Sequence, residues 1–237
     1  MVREAENAAT LVAKREAAEI FRQAGWLASA PALFRTEIIR RSAVQHVEAN
    51  SILYLAGDMP KELFGVLSGT IKIELVTAGT ESQVAFIGHP GFWFGEAALI
   101  RGANRLVTVT TVSEAVLLKL SAVDFEKMAA DTASLRQFAM LSVGNLELAM
   151  STVALLLTRD PVKRIAFGLL TVAGRGSVIT LSQADFATMC AVTRKTVNKT
   201  LKILRTAGVI NVGYSEIEIL DRPRLIMASV HGASFER

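Results

Sequence analysis

The stretch Leu181-Ser-Gln-Ala-Asp-Phe-Ala-Thr-Met-Cys-Ala-Val-Thr-Arg-Lys-Thr-Val-Asn-Lys-Thr-Leu-Lys-Ile-Leu-Arg205 holds two helix starts in close succession. Ser182, with Asp185 three residues on, has the pattern of a helix N-terminus. Phe186, Met189 and Cys190 give that helix an apolar face. Thr193 is placed as the N-cap of the next helix, and Val197, Leu201 and Leu204 share one side of it. The opposite side carries Arg194, Lys195, Asn198, Lys199 and Lys202. Two short helices, a tight connection and a basic outer face form a helix-turn-helix, whose second helix enters the major groove of DNA. Arg and Lys donate to guanine, and Asn pairs with adenine. A helix N-terminus favours phosphate. The candidate DNA contacts are therefore Ser182, Thr193, Arg194, Lys195, Asn198, Lys199 and Lys202. Downstream, Gly208-Val-Ile and Tyr214 to Leu220 read as a two-stranded wing around Gly213. A solvated basic helix would lack both the preceding helix and this hairpin.

Charge supports the same reading. From Arg159 onward basic side chains outnumber acidic ones two to one, whereas residues 1–158 hold fewer basic than acidic ones. A basic module on a near-neutral body points to a polyanionic partner.

Upstream lies a helix at Val162–Ala173, closed by a turn at Gly174-Arg175-Gly176. Asp160-Pro161 ends the preceding element and makes a hinge. Residues 122–157 are predicted as one long helix, with Leu135, Phe138, Ser142, Leu146, Ala149, Val153 and Leu156 recurring every three or four residues. So apolar a helix must bury more than one face, and a two-fold partner helix would cover the second. Phe138 to Leu157 is about long enough to span a bilayer. Asn145 and Glu147 near its middle argue for a buried dimer helix, with no membrane partner.

From about Val44 to Leu120 short β-rich runs alternate with turns. The runs are Ser51–Leu55, Leu63–Leu67, Ile71–Val76, Ser82–Ile87, Val107–Val112 and Val116–Leu120. Turns fall at Gly57-Asp58, Ser68-Gly69, Ala78-Gly79, His89-Pro90-Gly91 and Arg101-Gly102. This texture predicts an all-β roll. Residues 3–28 have helical spacing (Leu11, Val12, Ile20, Phe21), Pro31 breaks it, and a short helix follows at Leu33–Arg41. The charged start Met-Val-Arg-Glu-Ala-Glu has no signal-peptide core, so a cytoplasmic protein is expected.

The fold class is thus α+β, in four parts: an N-terminal helical segment (1–32), a β-roll (33–121), a dimerisation helix (122–159) and a winged helix-turn-helix (160–237). The 237 residues, 51% hydrophobic and 20% charged, suit two domains with real cores. A single cysteine, Cys190, excludes an iron–sulfur or four-thiolate zinc site within the chain. His46, His89 and His231 are far apart, so neither metal nor heme is expected. No paired carboxylates, nucleophile elbow or P-loop suggest an enzyme.

In these elements the chain resembles the cyclic-AMP receptor protein / fumarate-nitrate regulator (CRP/FNR) family of bacterial transcription factors. The resemblance runs from about residue 33 and rests on the roll turns, Phe94-Gly95-Glu96, the long helix and Thr193-Arg194-x-Thr196-Val197. It implies a roll of double-stranded jelly-roll type, a parallel homodimer through residues 122–157, a palindromic DNA site and RNA polymerase as a partner. Phe94 to Val109 is similar to the phosphate-binding cassette of cyclic-nucleotide domains. The resemblance makes Gly95, Glu96, Ala97, Arg105, Leu106, Ala149 and Met150 the effector contacts, with Glu96 on a ribose hydroxyl and Arg105 on the cyclic phosphate. It implies cyclic AMP or another cyclic nucleotide as effector. A Glu96–Arg105 ion pair would be the purely structural alternative.

Five positions depart from the family pattern. Lys195 stands where Glu is common, and Lys199 where Arg is common. A carboxylate accepts from cytosine whereas Lys donates to guanine, so a different operator is expected. Leu106 replaces a small or hydroxylic residue, and Ala149-Met150 replace a Thr-Ser pair, removing donors a nucleotide would use. Two rivals follow: the same fold acting without an effector, and a cyclic-nucleotide-binding regulatory subunit of an enzyme or channel.

Overall fold

The computed structural model describes residues 2–75, 82–174, 176–213 and 216–232, with the backbone alone for 2–10. It forms two compact units, Met1–Val76 with Gly88–Glu147, and Thr77–Ile87 with Leu148–Arg237.

The first unit opens with α1 (Val2–Gln23), a 3-10 turn (Trp26–Ala28) and α2 (Ala32–Arg41). The roll follows: β1 (Ala43–Val47), β2 (Ile52–Tyr54), β3 (Glu62–Ser68), β4 (Ile71–Leu75), β5 (Gln83–Gly88, of which all but Gly88 is grouped with the second unit), β6 (Trp93–Phe94), α3 (Glu96–Arg101), β7 (Thr108–Thr111) and β8 (Ala115–Ser121). One sheet is ordered β1-β8-β3-β6. In the other, antiparallel β7 lies between β2 and β4. Each run expected to be a strand contains one. The turn at Ala78-Gly79 and the end of a strand at Val76 lie outside the described residues.

The pair β3–β8, in register from Glu62↔Ser121 to Gly65↔Leu118, is apolar on both faces. Phe64, Val66, Ala115 and Leu117 point into the roll, where Tyr54, Ile71, Phe94 and Val109 meet them. Leu63, Leu67, Leu118 and Leu120 point outward, against Phe21, Leu27, Phe34 and Ile38 of the N-terminal helices. These strands therefore lack polar alternation, because helices cover their outer face. The N-terminal segment thus supplies half of a core.

The expected single helix over 122–157 is two helices, α4 (Ala122–Ala129) and α5 (Thr132–Leu157). Asp131 breaks it. Its carboxylate accepts from the Ser134 N–H at 2.8 Å and its carbonyl from Leu135 at 2.9 Å, which caps α5. Phe138 and Leu141 of α5 are buried with Phe125 of α4 in the helical core. Leu135, Leu146, Met150, Val153 and Leu157 are exposed. By length and composition α5 could cross a membrane. Its middle is instead tied to the roll, where the Asn145 amide donates to the Trp93 carbonyl at 3.2 Å.

The second unit contains α6 (Pro161–Ala173), β9 (Val178–Thr180), α7 (Gln183–Met189), α8 (Arg194–Thr206), β10 (Ile210–Val212), β11 (Glu216–Ile219) and α9 (Arg222–His231). Asp160 caps α6, accepting from the Val162 N–H at 2.8 Å, with Pro at the first helical position. The expected two-stranded wing is a three-stranded sheet, β10-β11-β9, because Val178–Thr180 pairs with Glu216–Glu218. Tyr214, Ser215 and Arg175 of the expected wing and turn lie outside the described residues. α9, capped by Asp221, packs on α6.

Gly168 in α6 marks a close approach of α6 to Phe186 and Cys190 at α7 and its end. A Cβ there would lie 2.7 Å from Cys190 Sγ and 3.2 Å from the Phe186 ring. In a free helix Gly→Ala stabilises by up to about 1 kcal/mol. Here overpacking, at about 1–3 kcal/mol, wins. Gly168→Ala is expected to lose about 1–2 kcal/mol in urea unfolding. A gain in stability would show that the helices can separate freely.

Candidate nucleic-acid interface and effector pocket

The helix-turn-helix is built from local hydrogen bonds. The Ser182 hydroxyl accepts from the Asp185 N–H at 3.0 Å and donates to its carboxylate at 2.6 Å, starting α7. α7 ends in a Schellman motif: Val192 N–H donates to the Ala187 carbonyl and Ala191 N–H to that of Thr188, both at 3.0 Å. The left-handed position of that motif falls on Ala191, at φ 48°, where glycine is usual. A side chain there costs on the order of 1 kcal/mol or more. Thr193 then caps α8, accepting from the Thr196 N–H at 3.1 Å.

α8 buries Val197, Thr200, Leu201 and Leu204. Its outer face exposes Arg194, Lys195, Asn198, Lys199 and Lys202. Among the described residues none of these five makes a hydrogen bond or ion pair. Three other arginines of the unit are engaged internally: Arg164 with backbone carbonyls, Arg222 with the Gly176 carbonyl, and Arg224 with that of Ala207. Ser182 and Thr193 are exposed, but their hydroxyls serve as caps.

The cassette is tight. Gly95 has φ 101°, and a Cβ on it would sit 2.7 Å from Arg105 Nη1, so the position requires glycine. Arg105 is only 4% exposed. Its guanidinium donates to the Gly95 carbonyl at 2.7 Å and to the Glu62 carbonyl, and lies 4.2 Å above the Tyr54 ring. Its Nε is buried without a partner. The Glu96 carboxylate, at the start of α3, accepts from Asn145 Nδ2 at 3.0 Å and more weakly from the Ser142 hydroxyl at 3.5 Å. Among the described residues Glu96 and Arg105 form no ion pair. Each is held separately, Glu96 by α5 and the Arg105 Nη groups by carbonyls and a ring. Ala97 and Leu106 are exposed, Leu106 at 63%. Ala149 and Met150 are exposed residues of the part of α5 in the second unit. Asn145 and Ser142 as partners of Glu96 were not foreseen from sequence. Asn145, a polar residue inside an apolar helix, was the available signal.

Burial pulls the His89 imidazole below its usual range, while Pro90 O lies 3.0 Å from its Nδ1. Cys190 is wholly buried, and burial pushes its thiol up to about 12, leaving little reactive thiolate. Among the described residues no three His, Cys, Asp or Glu side chains cluster for a metal.

A basic helix-turn-helix joined to a cyclic-nucleotide-type roll defines a DNA-binding transcription regulator rather than an enzyme. Comparison with known proteins agrees. A cyclic nucleotide-binding domain model matches residues 44–132, and a Crp-like helix-turn-helix domain model matches 163–227. The transcriptional regulator LdrP of Thermus thermophilus is 29% identical over 180 residues, 71% of this chain and 88% of LdrP. A cyclic nucleotide-gated potassium channel of Rhizobium etli is 34% identical over 90 residues, 38% of this chain. That match spans only 24% of the channel's length. FixK2 of Bradyrhizobium japonicum shares the fold at TM-score 0.70 and 21% identity, covering 78% of this chain and 96% of FixK2. A CRP-family regulator of Thermus thermophilus gives TM-score 0.63 at 24% identity, covering 81% and 99%. The chain belongs to the CRP/FNR family of transcription regulators.

Burial pushes the Glu96 carboxyl above the usual carboxylate range, so folding favours its protonation relative to the unfolded chain. The stability this gives is complete below the unfolded pKa and is lost as pH rises through the folded one. Glu96→Gln keeps an acceptor for Asn145 without the charge. Its melting temperature should exceed the parent's by more at about pH 8 than at about pH 4. An equal difference at both pH values would mean that Glu96 ionises freely.

Proposed function

We propose that the protein is a homodimer, paired through α5, which reads a palindrome with Arg194, Lys195, Asn198, Lys199 and Lys202 on each α8 and regulates transcription through RNA polymerase in the cytoplasm. The observation that carries this reading is the α8 face of five exposed donors without internal partners. The apolar residues Leu146, Met150, Val153 and Leu157, exposed in the single chain, supply a seam for a second α5. Ser182 and Thr193, at the starts of the two helices, are proposed to meet phosphate. A channel-type regulatory module needs no such reading helix, so the cyclic nucleotide-gated relatives are taken as kin of the roll alone.

The roll is proposed as the control site, with Gly95, Glu96, Ala97, Arg105 and Leu106 around a cyclic-nucleotide-like effector and Ala149 and Met150 on the helix that answers it. The orphaned Arg105 Nε favours an anion. A second reading, an effector-independent regulator, rests on Asn145 holding Glu96 and on two carbonyls already holding Arg105. Calorimetric titration with cyclic AMP separates the two. Heat that vanishes in Arg105→Ala supports the nucleotide sensor. No heat, together with intact DNA binding, supports the second reading.

DNA affinity should fall steeply with salt, because each phosphate contact releases counterion. Lys195→Glu should change base preference at one position per half-site, by about 1–3 kcal/mol, in a binding-site selection from random DNA. Unchanged preference with uniformly weaker binding would restrict Lys195 to phosphate.

A further inference from the structure

Arg164, on α6, has no DNA or effector role assigned above, yet its guanidinium is the most heavily used of the second unit. Nε donates to the Thr158 carbonyl at 3.0 Å, and Nη2 to that of Leu156 at 3.0 Å. Both acceptors belong to the last turn of α5 and the residue following it, where helix carbonyls lack intrahelical partners. Nη1 donates to the Ala191 carbonyl at 3.0 Å and the Cys190 carbonyl at 3.3 Å. Those two residues form the α7–α8 turn, and Ala191 is the residue held at φ 48°. One planar group thus grips the end of the proposed dimer helix and the turn from which the recognition helix departs. A planar fork can satisfy four acceptors in two directions at once, whereas an ammonium cannot hold the same geometry.

We infer that Arg164 is a positioning residue that fixes α8 relative to the end of α5, and thereby sets the half-site spacing the protein accepts. This inference rests on the dimeric reading. In a two-fold dimer the separation of the recognition helices is inherited from the α5 pair through whatever joins α5 to the turn. One added base pair shifts a half-site by about 3.4 Å and rotates it by roughly 35°, so a rigid joint rejects it and a loose one tolerates it.

The test uses the full chain and a palindrome obtained by selection from random DNA. The spacer is then lengthened or shortened by one base pair, and a single half-site duplex serves as reference. In Arg164→Gln the mass by light scattering should remain that of the parent. Half-site affinity should stay within about threefold. Discrimination between the selected and altered spacers, about tenfold or more in the parent, should shrink to about threefold or less. Arg164→Lys should lie between. A folded variant that discriminates as the parent does overturns the inference. Unfolding of both variants also overturns it, because Arg164 would then be a folding residue. A parent that is monomeric and indifferent to spacing defeats the dimeric reading itself, a separate result from either.

Discussion

Two-sided burial of the β3–β8 pair is the constraint on which the first unit depends. Leucines alternate with Phe64, Val66 and Leu117 so that neither face can meet water. One face closes the roll. The other requires α1, α2, α4 and the start of α5 as a cover. Phe125 and Phe138, with ring centroids 4.3 Å apart, join α4 and α5 to that cover. The cassette inherits its rigidity from this arrangement, since Trp93 packs into the helical core and Phe94 into the roll.

Glu96 and Arg105 illustrate how a charged pair can be placed inside a roll without pairing. Burying a charge is costly unless hydrogen bonds replace water. Here the replacements are different for each, an amide from α5 for the carboxylate and carbonyls for the guanidinium. An effector that engaged either group would exchange one set of hydrogen bonds for another. Asn145 holds both Glu96 and the Trp93 carbonyl, so such an exchange would be felt at α5 directly.

The helix-turn-helix was legible in the sequence because its determinants are local. Ser182 and Thr193 cap within three residues, and the α8 faces separate at helical spacing. Six strands of the roll were legible because turn residues bracket them, whereas β1 and the two-residue β6 were not among the runs read. The break at Asp131 was hidden by apolar periodicity that continues across it. β9 escaped notice because three residues make little pattern and its partner β11 lies far along the chain. The N-terminal helix showed its spacing but not its purpose, because Leu63, Trp93 and Leu118 are distant in sequence. The candidate site residues were chosen by type. Their partners were not legible, since a backbone carbonyl has no sequence signature.

The aromatic cluster under the cassette has an optical consequence. The chain contains two tryptophans, Trp26 and Trp93, and both lie in the first unit with ring centroids 5.8 Å apart. Among the described residues both indole N–H groups are buried without partners, and Trp93 stands three residues before Glu96. Tryptophan emission therefore originates entirely beside the cassette, and the helix-turn-helix unit contributes none of it. Fluorescence excited selectively at tryptophan reports on the roll unit alone, whatever the helix-turn-helix unit binds.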